Sequence, residues 1–316
     1  MLINSCFPVL FIIFIGWLLA KFKIATAQLS QQVMLFVFWV SAPALIFNTI
    51  NHYSSEYFLS WKYITAYLLV TALTILITYI VFKYIFRLSH IESIFAGYCG
   101  SVKNCIMIGY PMLYGIFGSR AALPMAISVI IFNVLLTPLL LYCIEISKYR
   151  QNSASLYSLL AIPLMNTSRN PLVIAAILGC VTSYFSISIP NVIKISLAYC
   201  SHTFVPLALC CIGIDIALFK KSKSIRSKEW VLTFICLIVC PILSIIIGLS
   251  MRLNEFFMVS LVILSSAPVA KSLYVYSKKY QFLQDILGTV ILMTTLLGLV
   301  TMIFSMLVLE HYGIKI

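Results

Sequence analysis

The sequence is short of charge. Of its 316 residues only 9% are Asp, Glu, Lys or Arg, and eight of these are acidic. Intrinsic disorder requires low hydrophobicity and abundant charge, so this composition excludes it. The chain also lacks a His-Glu-x-x-His zinc motif, a Gly-x-Ser-x-Gly nucleophile elbow, a P-loop and any intramembrane cluster of His with acids. Those absences argue against an enzyme and against an ATP-driven pump, and they leave ion or solute gradients as the energy source. Ten cysteines (Cys6, Cys99, Cys105, Cys143, Cys180, Cys200, Cys210, Cys211, Cys236 and Cys240) show no metal-type spacing. They read as small apolar residues, and neither a metal nor another cofactor is expected. Met1 to Ser5 carries no base and no small-residue cleavage site follows, so the first apolar run is expected to stay as a helix and not to be removed as a secretory signal.

Apolar residues are present in excess, 62% of the chain, with a mean hydropathy of +1.08. This is the composition of a polytopic membrane protein. A helix needs about 20 mostly apolar residues to cross the hydrocarbon core. Ten stretches qualify as expected spans: Ser5 to Ala20, Gln31 to Ile50, Trp61 to Phe82, Ile94 to Phe117, Ala121 to Ile144, Pro171 to Ile189, Ser196 to Leu218, Trp230 to Ser250, Phe256 to Ser277, and Ile286 to Leu309. A β-barrel would show alternating segments of about ten residues instead, so the fold class is all-α.

The net charge of +13 has to be located before it can be interpreted. With ten spans, one side of the membrane collects fourteen bases: Lys21, Lys23, Lys83, Arg87, Lys148, Arg150, Arg169, Lys220, Lys221, Lys223, Arg226, Lys228, Lys278 and Lys279. The other side has five: Lys62, Arg120, Lys194, Arg252 and Lys315. Basic loops stay cytoplasmic, so both termini are expected outside the cytoplasm, in a bacterial inner or plasma membrane. The charge is then a topology signal, with membrane lipid as its neighbour, and nucleic acid is not an expected partner.

Two bases remain, Lys103 and Lys271, each well inside a span, and Asp215 is the one acid at comparable depth. Charge in the hydrocarbon core costs at least about 2.5–3.5 kcal/mol on insertion scales, so these groups should face a cavity or a partner. For both lysines the competing role is snorkelling to an interface. For Asp215 it is an interfacial ion pair with Lys220 or Lys221, one turn away.

A repeat narrows the choice. Pro8, Gly16 and Pro43 recur 163 positions later as Pro171, Gly179 and Pro206, and Pro111 pairs with Pro268 after a change of offset. The chain therefore divides into a first five-helix repeat at 1–150, a cytoplasmic connection at 151–170 and a second, inverted repeat at 171–316. Helices four and nine contain Lys103, Asn104, Gly109, Tyr110 and Pro111, and Ser265, Ser266, Pro268 and Lys271. Each should break just before its proline, with Ser266 as an N-cap, and the exposed helix ends would offer an anion site. Asn104 has an amide suited to a carboxylate, and His202 and Asp215 are candidates for ion coupling.

Several stretches resemble one family. They are Phe7-Pro8-Val9-Leu10 through Ile15-Gly16-Trp17, Ser41-Ala42-Pro43-Ala44-Leu45-Ile46-Phe47, Asn104 with Gly109 and Pro111, Asn170-Pro171-Leu172-Val173-Ile174-Ala175-Ala176-Ile177-Leu178-Gly179, Val205-Pro206-Leu207-Ala208-Leu209 with Gly213, and Ala267-Pro268 with Tyr280. In this order they are similar to the auxin efflux carriers, microbial branch, of the bile acid/auxin-type carrier superfamily. The resemblance implies ten helices in two inverted five-helix repeats, with broken helices 4 and 9 crossing at the substrate site. It also implies secondary transport of a small organic anion, such as a mono- or dicarboxylate like malate, malonate or auxin, by alternating access. Proton or sodium coupling and a homodimer are compatible with it. Lys103, Lys271 and Asp215 depart from the small or amide residues that the resemblance leads one to expect. The alternatives are a ligand-binding receptor or sensor on the same fold, or a sodium-coupled symporter of the bile-acid type.

Overall fold

The computed structural model describes residues 2–52, 60–149, 169–218, 225–312 and 314. Every expected span contains helix, although the sixth ends at Tyr184 and not at Ile189 and the fourth and ninth are interrupted. The helix falls in twelve pieces. They are α1 (Leu2–Lys21), α2 (Ala27–Asn51), α3 (Trp61–Ile85), α4 (His90–Ser101), α5 (Tyr110–Phe117), α6 (Ala122–Ile130, continued through Thr137–Tyr149), α7 (Pro171–Tyr184), α8 (Asn191–Ala217), α9 (Ser227–Ser250), α10 (Glu255–Ser266), α11 (Ser272–Tyr280) and α12 (Gln284–His311). Among the described residues six helical runs are long and apolar enough to cross a membrane, and three shorter apolar helices accompany them. Large apolar side chains point outward along them, Phe11, Leu76, Ile177 and Phe304 among others, as a bilayer solvent requires.

Proline shapes these helices in a recurring way. The π turns Val37–Ser41, Cys105–Gly109, Ile131–Leu136 and Ile235–Val239 each end two residues before a proline: Pro43, Pro111, Pro138 and Pro241. A proline within a helix clashes with the carbonyl four residues back and offers it no N–H. Widening the preceding turn by one residue relieves the clash and keeps the helix running. At these four positions proline bulges the helix and does not end it.

The pieces assemble in two groups. In the first, α1 lies along α8, α7 lies along α2, and α8 also packs on α2. In the second, α3, α4, α9, α10 and α12 pack on one another. Contacts of α1 with α5, of α2 and α7 with α6, and of α8 with the Cys105–Gly109 turn join the groups. Glycine sets the closest approach in the first group. A Cβ on Gly213 would overlap the Ile13 carbonyl, and one on Gly16 would overlap the Cys210 carbonyl. The α1 and α8 backbones therefore touch through reciprocal glycines, the usual device for packing helices in lipid.

Candidate functional site

Helices four and nine are both broken, the ninth just before its proline as expected and the fourth well ahead of Pro111. In the fourth, helix stops at Ser101 and the chain runs extended through Val102, whose ψ is 110°. It re-enters a helical turn at Cys105, capped by the Asn104 side chain, which accepts a hydrogen bond from Met107 N at 3.3 Å. Pro111 lies seven residues beyond this break, in the second position of α5. The expectation that the break sits at Pro111 is thus corrected, and the residue that restarts the helix is Asn104, whose side-chain oxygen fills the N-cap role.

In the ninth, α10 ends at Ser266, Ala267 is extended, and helix resumes at Ser272. Ser266 is not an N-cap, because it closes the preceding helix and donates to Val262 O at 2.6 Å. Ser265 is buried beside it.

The two breaks meet. Lys103 and Val269 form an antiparallel backbone bridge, with Asn104 N donating to Pro268 O at 2.7 Å and Ala270 N donating to Val102 O at 3.2 Å. Each broken segment supplies the backbone partners that the other lost by leaving the helix, which is what permits irregular backbone inside a bilayer. Gly109 lies against Leu264 of α10, where a Cβ would come within 2.7 Å of the leucine Cδ2.

The two lysines beside the breaks behave oppositely. Lys103 is 4% exposed, and its ammonium donates to Cys236 O at 3.0 Å. That carbonyl needs an outside donor. The next N–H along the helix, Cys240, is bonded to Ile235 O, and the following residue, Pro241, has none. Lys103 also follows the C-terminal end of α4, where the helix dipole welcomes a cation. It does not snorkel, and it does not line the cavity described below.

Lys271 instead stands at the N-cap of α11, where the same dipole repels a cation. An acid compensates: Lys271 Nζ pairs with Asp215 Oδ2, and Ser30 Oγ donates to Asp215 Oδ1 at 2.8 Å. Asp215 had been expected to pair with Lys220 or Lys221, both outside the described residues. Its partner is Lys271, 56 positions away in sequence.

A cavity of about 680 Å³ opens elsewhere, between the first group and α5. Its polar wall consists of Asn48, Thr49 and Asn51 at the end of α2, Tyr110 and Tyr114 on α5, and Lys194, Ser201 and His202 on α8. Pro206 and Val205 form part of its apolar floor. Of the sequence candidates, Tyr110 and His202 reach this cavity; Lys103, Asn104, Gly109, Pro111, Ser265, Ser266, Pro268, Lys271 and Asp215 do not line it.

Lys194 had been counted among loop bases. It sits instead on α8, eight residues before His202 and four before Ala198, so all three share one helix face. That spacing, and Asn48 with Asn51 at i, i+3, were the signals available in the sequence. The cavity wall therefore carries one cation, an imidazole, and several hydroxyls and amides, a donor set that suits a small polar anion in an otherwise apolar cleft.

A protein of Rhizobium meliloti (strain 1021) described as a "Putative malonate transporter" is 22% identical over 305 residues, covering 93% of this chain and 91% of that protein. The family model described as "Membrane transport protein" matches residues 1–306. With a multi-pass helical fold, two paired helix breaks and a family match across nearly its whole length, the chain belongs to the membrane transport proteins of the auxin efflux carrier family.

Proposed function

We propose that the protein is a secondary active transporter that moves a small organic anion, a mono- or dicarboxylate such as malonate, across the plasma membrane by alternating access. The observation that carries this reading is the cavity between the helical groups, with Lys194 and His202 in its wall and Tyr110 of the broken fourth helix at its base. A cleft of several hundred Å³ is the size expected for a small-molecule site. In this reading the ten spans form two inverted repeats. A pair of contacts supports it: Gly16 packs on Cys210 while Gly179 packs on Phe47, the same two positions each shifted by 163. The basic loops face the cytoplasm, and the cavity, at the opposite ends of α2 and α8, is open to the outside. Lys194 and His202 attract the anion, and the paired breaks form the pivot near which it is carried.

Purified protein reconstituted in vesicles tests this with radiolabelled malonate and with imposed proton and sodium gradients. Uptake or exchange that saturates supports the transporter. Binding of a panel of carboxylates with no flux would replace it with a receptor, and dependence on sodium alone would assign the symporter alternative.

A further inference from the structure

The Asp215–Lys271 pair is the one salt bridge among the described residues, and it joins the two helical groups. Asp215 on α8 and Ser30 on α2 belong to the first group, whereas Lys271 heads α11 beyond the break in the second. The cluster lies far from the cavity. Ser30 precedes Asn48 by 18 residues on α2 and Asp215 follows His202 by 13 on α8, about 27 and 20 Å along those helices at 1.5 Å per residue. The two side chains are 35% and 36% exposed, so a small solute can reach them.

Lys271 and the first turn of α11 together make an anion site. Both the ammonium and the helix end are positive, and either alone in an apolar surrounding needs a counter-charge. The anion in that site is the chain's own carboxylate, carried by the other group and oriented by Ser30.

We propose that Asp215 is a tethered carboxylate that fills this anion site and thereby latches the two groups together at the end opposite the cavity. The proposal rests on the alternating-access reading in one respect. Opening at this end requires the groups to part between α8 and α11, and the ion pair must then break. Lys271 is left as a free cation for a carboxylate leaving by that route. While the pair is intact, the protein stays open at the cavity and closed at the latch.

The test requires no known substrate. In a background with the native cysteines replaced, Ala198→Cys places a thiol in the cavity wall, and its labelling rate by a membrane-impermeant maleimide reports how open the cavity is. Removing a latch should lower that rate by at least about fivefold in Asp215→Ala, in the isosteric Asp215→Asn and in Lys271→Gln, the scale of ordinary coupling between two conformational states. Acetate, a free carboxylate that fits the space vacated in Asp215→Ala, should restore labelling in that variant and have no effect in Lys271→Gln, where the cation is missing. Exchanging the charges, Asp215→Lys with Lys271→Asp, should restore it in part without acetate. Labelling at the wild-type rate in all three single variants overturns the latch. So does acetate acting equally on Asp215→Ala and Lys271→Gln. Absence of flux for a whole panel of carboxylates in vesicles would overturn the transport reading and leave these labelling results standing, so the two can fail separately.

Discussion

Gly213→Ala isolates the packing of α1 on α8, because two effects of opposite sign compete. Alanine is the better helix former by about 1 kcal/mol, so in an uncrowded helix the change should stabilise. Here the new methyl would overlap Ile13 O and lie 2.7 Å from Trp17 N and 2.9 Å from Ile13 C, where ordinary contact begins near 3.4 Å. These are backbone atoms of a neighbouring helix, and no rotamer change relieves them. The helices must separate by roughly 1 Å along this seam, and overpacking of this kind costs about 1–3 kcal/mol. Separation also weakens the facing Gly16–Cys210 approach, so the upper part of that range applies and the net effect should be a loss of about 1–2 kcal/mol. The assay is thermal unfolding of purified protein in detergent, with Gly288→Ala as control. At Gly288 the nearest atom to a new Cβ is Tyr274 Cε2 at 3.7 Å, so that variant should melt at or above the wild-type temperature. Gly213→Ala melting as high as Gly288→Ala would refute the close approach of α1 and α8.

Four further outcomes follow from the site. Lys103→Met removes a buried charge worth about 2.5–3.5 kcal/mol of insertion penalty and a charge-assisted hydrogen bond worth about 1.5–3 kcal/mol, so stability should change little. Pro241→Ala supplies an N–H for the Cys236 carbonyl and should therefore stabilise Lys103→Met more than wild type, by about 1 kcal/mol; equal gains in both backgrounds would show that the lysine does not serve that carbonyl. Lys194→Gln should raise the KM for malonate uptake several-fold with little change in maximal rate, and should weaken its salt dependence; an unaltered KM places Lys194 outside the anion path. Asn104→Ala removes the cap that restarts the fourth helix and should cost about 1 kcal/mol in thermal unfolding, whereas Asn104→Ser, which keeps a neutral acceptor, should restore most of that loss.

Much of the fold was legible in the sequence because it depends on local composition. Long apolar runs between basic loops mark helices wherever a bilayer is the solvent, and each expected run is mostly helical. Gly16 and Gly179 were legible as repeat markers, but that Gly16, Gly179 and Gly213 admit a neighbouring helix at close range came from the structure. The break positions were partly misread. The ninth helix does end just before Pro268, but Pro111, like Pro43, Pro138 and Pro241, is absorbed by a π turn. The fourth helix stops earlier, where its backbone finds partners at Pro268 and Ala270, more than 160 residues away.

Sequence alone thus determined that this chain is a multi-pass helical membrane protein, that its charge is gathered in loops, and that Lys103, Lys271 and Asp215 need partners. Hydrophobic length and the cost of buried charge are properties of residue type, which is why they can be read without coordinates. The partners themselves were decided by tertiary structure. Lys103 reaches a carbonyl 133 positions away and Lys271 a carboxylate 56 positions away, and no pattern along the chain encodes those distances. One lysine sits at the negative end of a helix and needs no acid; the other sits at a positive end and requires Asp215. Two residues alike in sequence acquired different roles because the helix breaks gave them opposite fields.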